Sequence, residues 1–143
     1  MLATHLLDTI PSVMHEWRKV LHSGLPECLS INQFRVLFFI GVGHGSSSYL
    51  ARQMGVTPAA MSKMVEGLVQ VKLINRNPSE TDRRHTILTL TKRGQTVVRQ
   101  VRAQVEKRMQ AQLDELATNE QKQVAQALAL LQKVFSPTRE QVI

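Results

Sequence analysis

The stretch that decides the fold is Leu50-Ala51-Arg52-Gln53-Met54-Gly55-Val56-Thr57-Pro58-Ala59-Ala60-Met61-Ser62-Lys63-Met64-Val65. Leu50, Ala51 and Met54 recur at the spacing of one helix face. Gly55 follows, and glycine tolerates the left-handed backbone with which helices end. Thr57-Pro58 then opens a second helix, with threonine as N-cap and proline at the first helical position. Two short helices joined by a tight glycine turn, with Val56 as an apolar plug, make a helix-turn-helix. In that motif the start of the second helix enters the major groove of DNA. Close approach needs short side chains there, and Thr57, Pro58, Ala59 and Ser62 supply them. Ser62 and Lys63 are placed outward as donors to base edges and phosphates.

Downstream, the second helix is expected to run to about Val71, with Ala60, Met61, Met64, Val65 and Leu68 inward. Leu73-Ile74-Asn75-Arg76 and the alternating, β-branched Thr86-Ile87-Leu88-Thr89-Leu90 predict two strands around a charged tip, residues 77–84. The tip carries Asp82-Arg83-Arg84. An arginine on such a hairpin can enter the narrow, electronegative minor groove. Arg84 is assigned that role, with Asp82 orienting it and Arg83 nearer phosphate. A long helix follows at about 93–116, with Val97, Val98, Val101, Val105, Met109, Leu113 and Leu116 on one face. Thr118 with Gln121 predicts a capping box for a last helix, 119–135, stopped by Ser136-Pro137. Its inner face is read as Val124, Leu128, Leu131 and Phe135.

Upstream, Leu6, Ile10, Val13, Met14, Trp17, Val20 and Leu21 form one stripe over residues 5–22. Pro11 within it predicts a kink or a late start. Ser30 is placed as the N-cap of a helix at 31–42, buried through Phe34, Leu37, Phe38 and Val42. Gly41 to Ser48 is a loop whose serines can cap the next helix. The fold class is therefore mainly α with a small β-hairpin wing. A winged helix-turn-helix lobe spans 31–92, and N- and C-terminal helices at 1–25 and 93–143 form a dimerisation lobe. The stripes on the terminal helices are too large for the small central lobe to cover, so a homodimer is expected through Leu6, Ile10, Val13, Leu128, Leu131 and Phe135.

Charge supports the same division. The chain of 143 residues has a formal net charge of +7. From Arg52 to Arg102 it carries ten basic and three acidic residues, so the whole excess lies in this segment and the flanks are neutral. Such a layout suits a polyanion. The candidate DNA-binding set is Thr57, Pro58, Ala59, Ser62, Lys63, Arg52, Arg76, Asp82, Arg83 and Arg84.

At these residues the sequence resembles the MarR family of bacterial transcriptional regulators. Leu50 to Thr57 is similar to its first helix and turn, and Ser62-Lys63-Met64-Val65-Glu66-Gly67-Leu68 to its recognition helix. Leu73 to Arg76, Asp82-Arg83-Arg84 and Leu88 to Gly94 are similar to its wing and wing exit. The family usually has glycine where this chain has Lys72, and often a basic or polar residue where it has Gly67. The resemblance implies a homodimer with intertwined terminal helices and double-stranded DNA bound at a pseudo-palindromic operator. It also implies a repressor released by a small lipophilic or phenolic ligand, or by an oxidant.

Other chemistry has little support in the sequence. One cysteine, Cys28, excludes an intrachain disulfide and a cysteine-rich zinc site. A redox-responsive regulator using Cys28 is an alternative, although neighbouring Glu27 disfavours the thiolate. His5, His15, His22, His44 and His85 show no metal-ligand spacing. Gly41-Val42-Gly43-His44-Gly45 follows a helix and lacks the ending of a phosphate loop. No metal, cofactor or catalytic residue is expected, and the chain is not read as an enzyme. Acid and histidine interrupt the N-terminus too early for a signal peptide, and the longest apolar run, Val36 to Ile40, is too short to span a membrane. A cytoplasmic protein is expected. A winged-helix nucleic-acid-binding protein without an effector, architectural or RNA-binding, is the remaining alternative.

Overall fold

Thr57 and Pro58 begin the second helix of the motif as their chemistry requires. In the computed structural model, which describes residues 1–79 and 86–135, the Thr57 hydroxyl accepts the Ala60 amide at 3.1 Å and Pro58 takes the first helical position. Gly55 ends the preceding helix at φ +64. The elements in chain order are α1 (Leu2–Gly24), α2 (Ile31–Gly41), α3 (Ser47–Met54), α4 (Pro58–Gln70), β1 (Ile74–Pro78), β2 (Thr86–Leu90), α5 (Lys92–Leu113) and α6 (Thr118–Phe135). By compactness the chain forms two units, residues 1–106 and 107–143.

The core of the first unit is apolar. Leu21, Val36, Leu37, Leu50, Met61, Leu68 and Ile74 are its most deeply buried side chains. Ser30 caps α2 in a full capping box with Gln33. The hairpin is antiparallel, with Ile74 opposite Leu90 and Arg76 opposite Leu88. The outer edge of β2 is also met, because the Leu88 amide donates to the Gly45 carbonyl at 2.9 Å. A Cβ on Gly45 would lie 2.5 Å from the Leu88 carbonyl oxygen, so this crossing requires glycine.

The start of α5 is strapped to the turn between α4 and β1. Thr91 donates its amide to the Leu73 carbonyl and its hydroxyl to the Lys72 carbonyl. The Thr91 hydroxyl in turn accepts the Gly94 amide, and Arg93 reaches the Val71 carbonyl. Lys72 holds φ +62 in this turn, the left-handed conformation that glycine takes without strain. The glycine usual at this position in the resembling family thus has a backbone reason.

Several expectations are corrected. Helix α1 begins at Leu2 and continues through Pro11, so the late start is not seen. The one hydrogen bond proline removes is lost on an exposed stretch, where water can replace it. Ala60 is exposed, because it lies roughly 100° around the helix from Met61, off the face that Met61, Val65 and Leu68 bury. Val42 is 52% exposed, since α2 ends at Gly41 and Ile40 takes the buried place. Val56 is half-buried rather than a full plug. The capping interaction at α6 comes one residue earlier than expected. Glu120 accepts the Ala117 amide at 2.8 Å, and the Gln121 side chain instead donates to the Leu116 carbonyl. The wing residues Asp82, Arg83 and Arg84, and the Ser136-Pro137 stop, lie outside the described residues.

Candidate nucleic-acid interface

The outward side of α4 is built as a surface for close approach. Its buried side is fixed by Met61, Val65 and Leu68, which leaves Pro58, Ala59, Ala60, Ser62, Lys63 and Glu66 exposed. Near the capped end the side chains are short, and the exposed Ser62 hydroxyl and Lys63 ammonium follow one turn on. The positive pole of the helix dipole is also there, which favours a phosphate. Arg52 is exposed in the last turn of α3, immediately before the turn that carries α4. The structure therefore places Arg52, Thr57, Pro58, Ala59, Ser62 and Lys63 together around one short loop and helix start.

Arg76 stands apart from this group. Its guanidinium binds the Glu66 carboxylate at 2.7 Å, joining β1 to α4 across ten positions of sequence. The side chains keep 40% and 48% exposure, and an exposed pair stabilises a fold by only about 0–1 kcal/mol. Glu66 was not among the sequence candidates. A signal for it exists, because between Glu27 and Glu80 it is the only acid in the chain.

The family comparisons agree with this geometry. The MarR family's sequence profile matches residues 29–85. An uncharacterised HTH-type transcriptional regulator of Bacillus subtilis, YhbI, is 29% identical over 104 residues, which covers 71% of this chain and 68% of YhbI. Among solved structures, RV1404 of Mycobacterium tuberculosis superimposes with a TM-score of 0.76 at 29% identity, covering 93% of this chain and 90% of its own. The chain is similar to MarR-family transcriptional regulators. Rv2887, a MarR family protein of M. tuberculosis in complex with p-aminosalicylic acid, matches at TM-score 0.66 and 27% identity, over 90% of this chain and 96% of its own.

In this regulator, as in the winged-helix relatives, a two-stranded hairpin follows the helix-turn-helix. Among the described residues no helix is long and apolar enough to cross a membrane, and no three histidine, cysteine or acidic side chains gather as metal ligands. The residues expected at a dimer interface are open to a partner to different degrees. Leu6 and Leu131 are half-buried, whereas Ile10 and Val13 are 42% and 45% exposed. Leu128 and Phe135 are 54% and 68% exposed, and α6 has no buried residue.

Two open cavities lie in the regulator's first unit. One, of about 370 Å³, has apolar walls from Phe38, Val42, Leu90 and Val98 and a charged rim of Arg99, Arg102 and Glu106. Arg102 lies over the Phe38 ring, 5.6 Å from its centre, while its Nε donates to Glu106 at 2.7 Å. The other, of about 710 Å³, includes Arg18, His22, Glu27, Arg35 and the exposed Cys28 among its lining residues.

Proposed function

We propose that the regulator is a repressor that binds a pseudo-palindromic operator as a homodimer and is released by a small lipophilic or phenolic ligand. The N-terminal half of α4 enters the major groove, where Ser62 and Lys63 read base edges. Thr57, Pro58 and Ala59 allow close approach, and Arg52 meets phosphate. Asp82, Arg83 and Arg84 extend the contact into the minor groove. The observation that carries this reading is the exposed, capped start of α4, free of large side chains and set in the segment that holds the whole net charge.

The winged lobe at 31–92 binds DNA and the helices at 1–25 and 93–143 pair two copies. Support for pairing comes from exposed apolar side chains in each unit, Ile10 and Val13 in the first and Leu128 and Phe135 in the second, which water solvates poorly. The ligand's seat is the cavity between Phe38, Val42, Leu90 and Val98. Its size is that of a small-molecule site, and Arg99 on its rim, with Arg102 already paired to Glu106, suits a phenolate or carboxylate. The related Rv2887 was solved with an aromatic acid, which supports this ligand class.

The test is selection of bound duplexes from a random-sequence pool, followed by titration of the enriched site. Ser62→Ala and Lys63→Ala should each weaken that site by about 1–3 kcal/mol and shift base preference. Equal weakening of all sequences would refute base readout. In a second arm, p-aminosalicylic acid should lower the affinity for the enriched duplex, and an unchanged affinity would count against an aromatic acid as effector.

A further inference from the structure

We infer that Arg76 is a positioning residue that acts through Glu66. It neutralises the one carboxylate on the DNA-facing side of α4 and fixes that helix against the first strand of the wing. The inference rests on the reading of α4 as the helix that enters the groove.

Strand register gives the first argument. Arg76 lies directly opposite Leu88, and residues directly opposite in an antiparallel pair share a face. Leu88 is 4% exposed, and Ile74, two residues before Arg76 and therefore on the same face, is 1% exposed. Arg76 thus leaves the strand on the core side, where α4 packs, rather than on the outer side. Its stem can cover apolar surface while the charged head reaches the edge, and there the head meets Glu66 at 2.7 Å.

Charge gives the second argument. Residues 28–79 contain five basic side chains, Arg35, Arg52, Lys63, Lys72 and Arg76, and the single acid Glu66. That acid follows Ser62 by four residues and Lys63 by three, so it shares their side of the helix. An uncompensated carboxylate there would face phosphate, and like charges across an interface oppose binding. No ion pair with Lys63 is formed among the described residues, and the partner comes from β1 instead. Lys63 is left to the DNA. A pair this exposed adds little to stability, so its effect is to be sought in the complex with DNA.

The test is a double-mutant cycle read by DNA affinity and salt dependence on the enriched duplex. Arg76→Ala should weaken binding about tenfold in the unmodified protein. In the Glu66→Gln background the same change should cost less than about threefold, because no carboxylate is left to neutralise. The salt slope should be unaltered by Arg76→Ala in that background. A direct phosphate contact predicts the reverse: equal losses in both backgrounds, with the slope reduced in each by about 0.9 per protomer, or about 1.8 per dimer. That result would overturn the inference, as would an absence of effect in the unmodified background. Thermal unfolding confirms that each variant is folded, and Arg76→Gln replaces Arg76→Ala in the cycle if the alanine protein is not. Lys63→Ala serves as the control. If it weakens binding while the cycle shows no coupling, only the positioning role fails. If neither Lys63→Ala nor Arg76→Ala weakens binding, α4 is not the DNA face, and both readings fail.

Discussion

Helices α4 and α6 carry much the same apolar pattern and meet different fates. On α4, Met61, Val65 and Leu68 are buried by the rest of the chain. On α6, the corresponding stripe of Val124, Leu128, Leu131 and Phe135 contains no buried residue. Periodicity specifies that a face is apolar, but it does not specify which surface will cover it. For α4 the cover is in the same chain. For α6 we assign it to a second copy, and the two assignments predict different responses to substitution.

The sharpest way to break this contrast is to alter one residue on each stripe and follow assembly and stability. Leu128→Asp should raise the dimer dissociation constant by about a thousandfold, equivalent to about 4 kcal/mol for an unpaired buried charge. Sedimentation over a concentration series would show it, and an unmodified protein that is monomeric at micromolar concentration would refute the assignment of α6. Leu68→Ala acts on the other stripe. Truncating this fully buried side chain should cost about 3 kcal/mol in chemical denaturation, with no change in the association constant of the folded protein. A loss of dimer equal to that of Leu128→Asp would erase the distinction.

Smaller effects sharpen the comparison within α4. Its inner face is filled, but a Cβ built on Gly67 would meet nothing within 4 Å. Gly67→Ala should therefore stabilise the lobe by about 1 kcal/mol, the usual cost of glycine inside a helix. A fall in the unfolding midpoint would show that the open space is needed. Lys72→Gly should stabilise by about 0.5 kcal/mol. It relieves the left-handed backbone at φ +62 but loosens the unfolded chain, and the two effects partly cancel.

What the sequence disclosed depended on how local its cause was. The Thr57 cap, Pro58 and the left-handed Gly55 act within a few residues, and all three stand as read. The strand Thr86–Leu90 was legible for the same reason. Exposure of Ala60 was not legible, because whether a flank position is covered depends on how its neighbours pack against the helix. Val42 failed with its helix end, one residue short. At α6 two overlapping capping patterns compete, Thr118 with Gln121 and Ala117 with Glu120, and sequence favours the first because threonine is the better cap. The Glu66–Arg76 bridge needs α4 and β1 side by side, so no local pattern announces it. The solitary acid in a basic segment was the only trace it left.

The junction at Gly94 has a mechanical consequence. A Cβ at this position would stand 2.1 Å from the Leu73 carbonyl oxygen, so the start of α5 sits against the root of the hairpin with no room for a side chain. Three hydrogen bonds already tie the same two segments. The joint behaves as a clamped end rather than a sliding one. Within the first unit α5 runs from it over residues 92–106, roughly 22 Å at the helical rise. Because the near end is held, a tilt of this stretch is resisted at the root of the hairpin rather than lost in sliding.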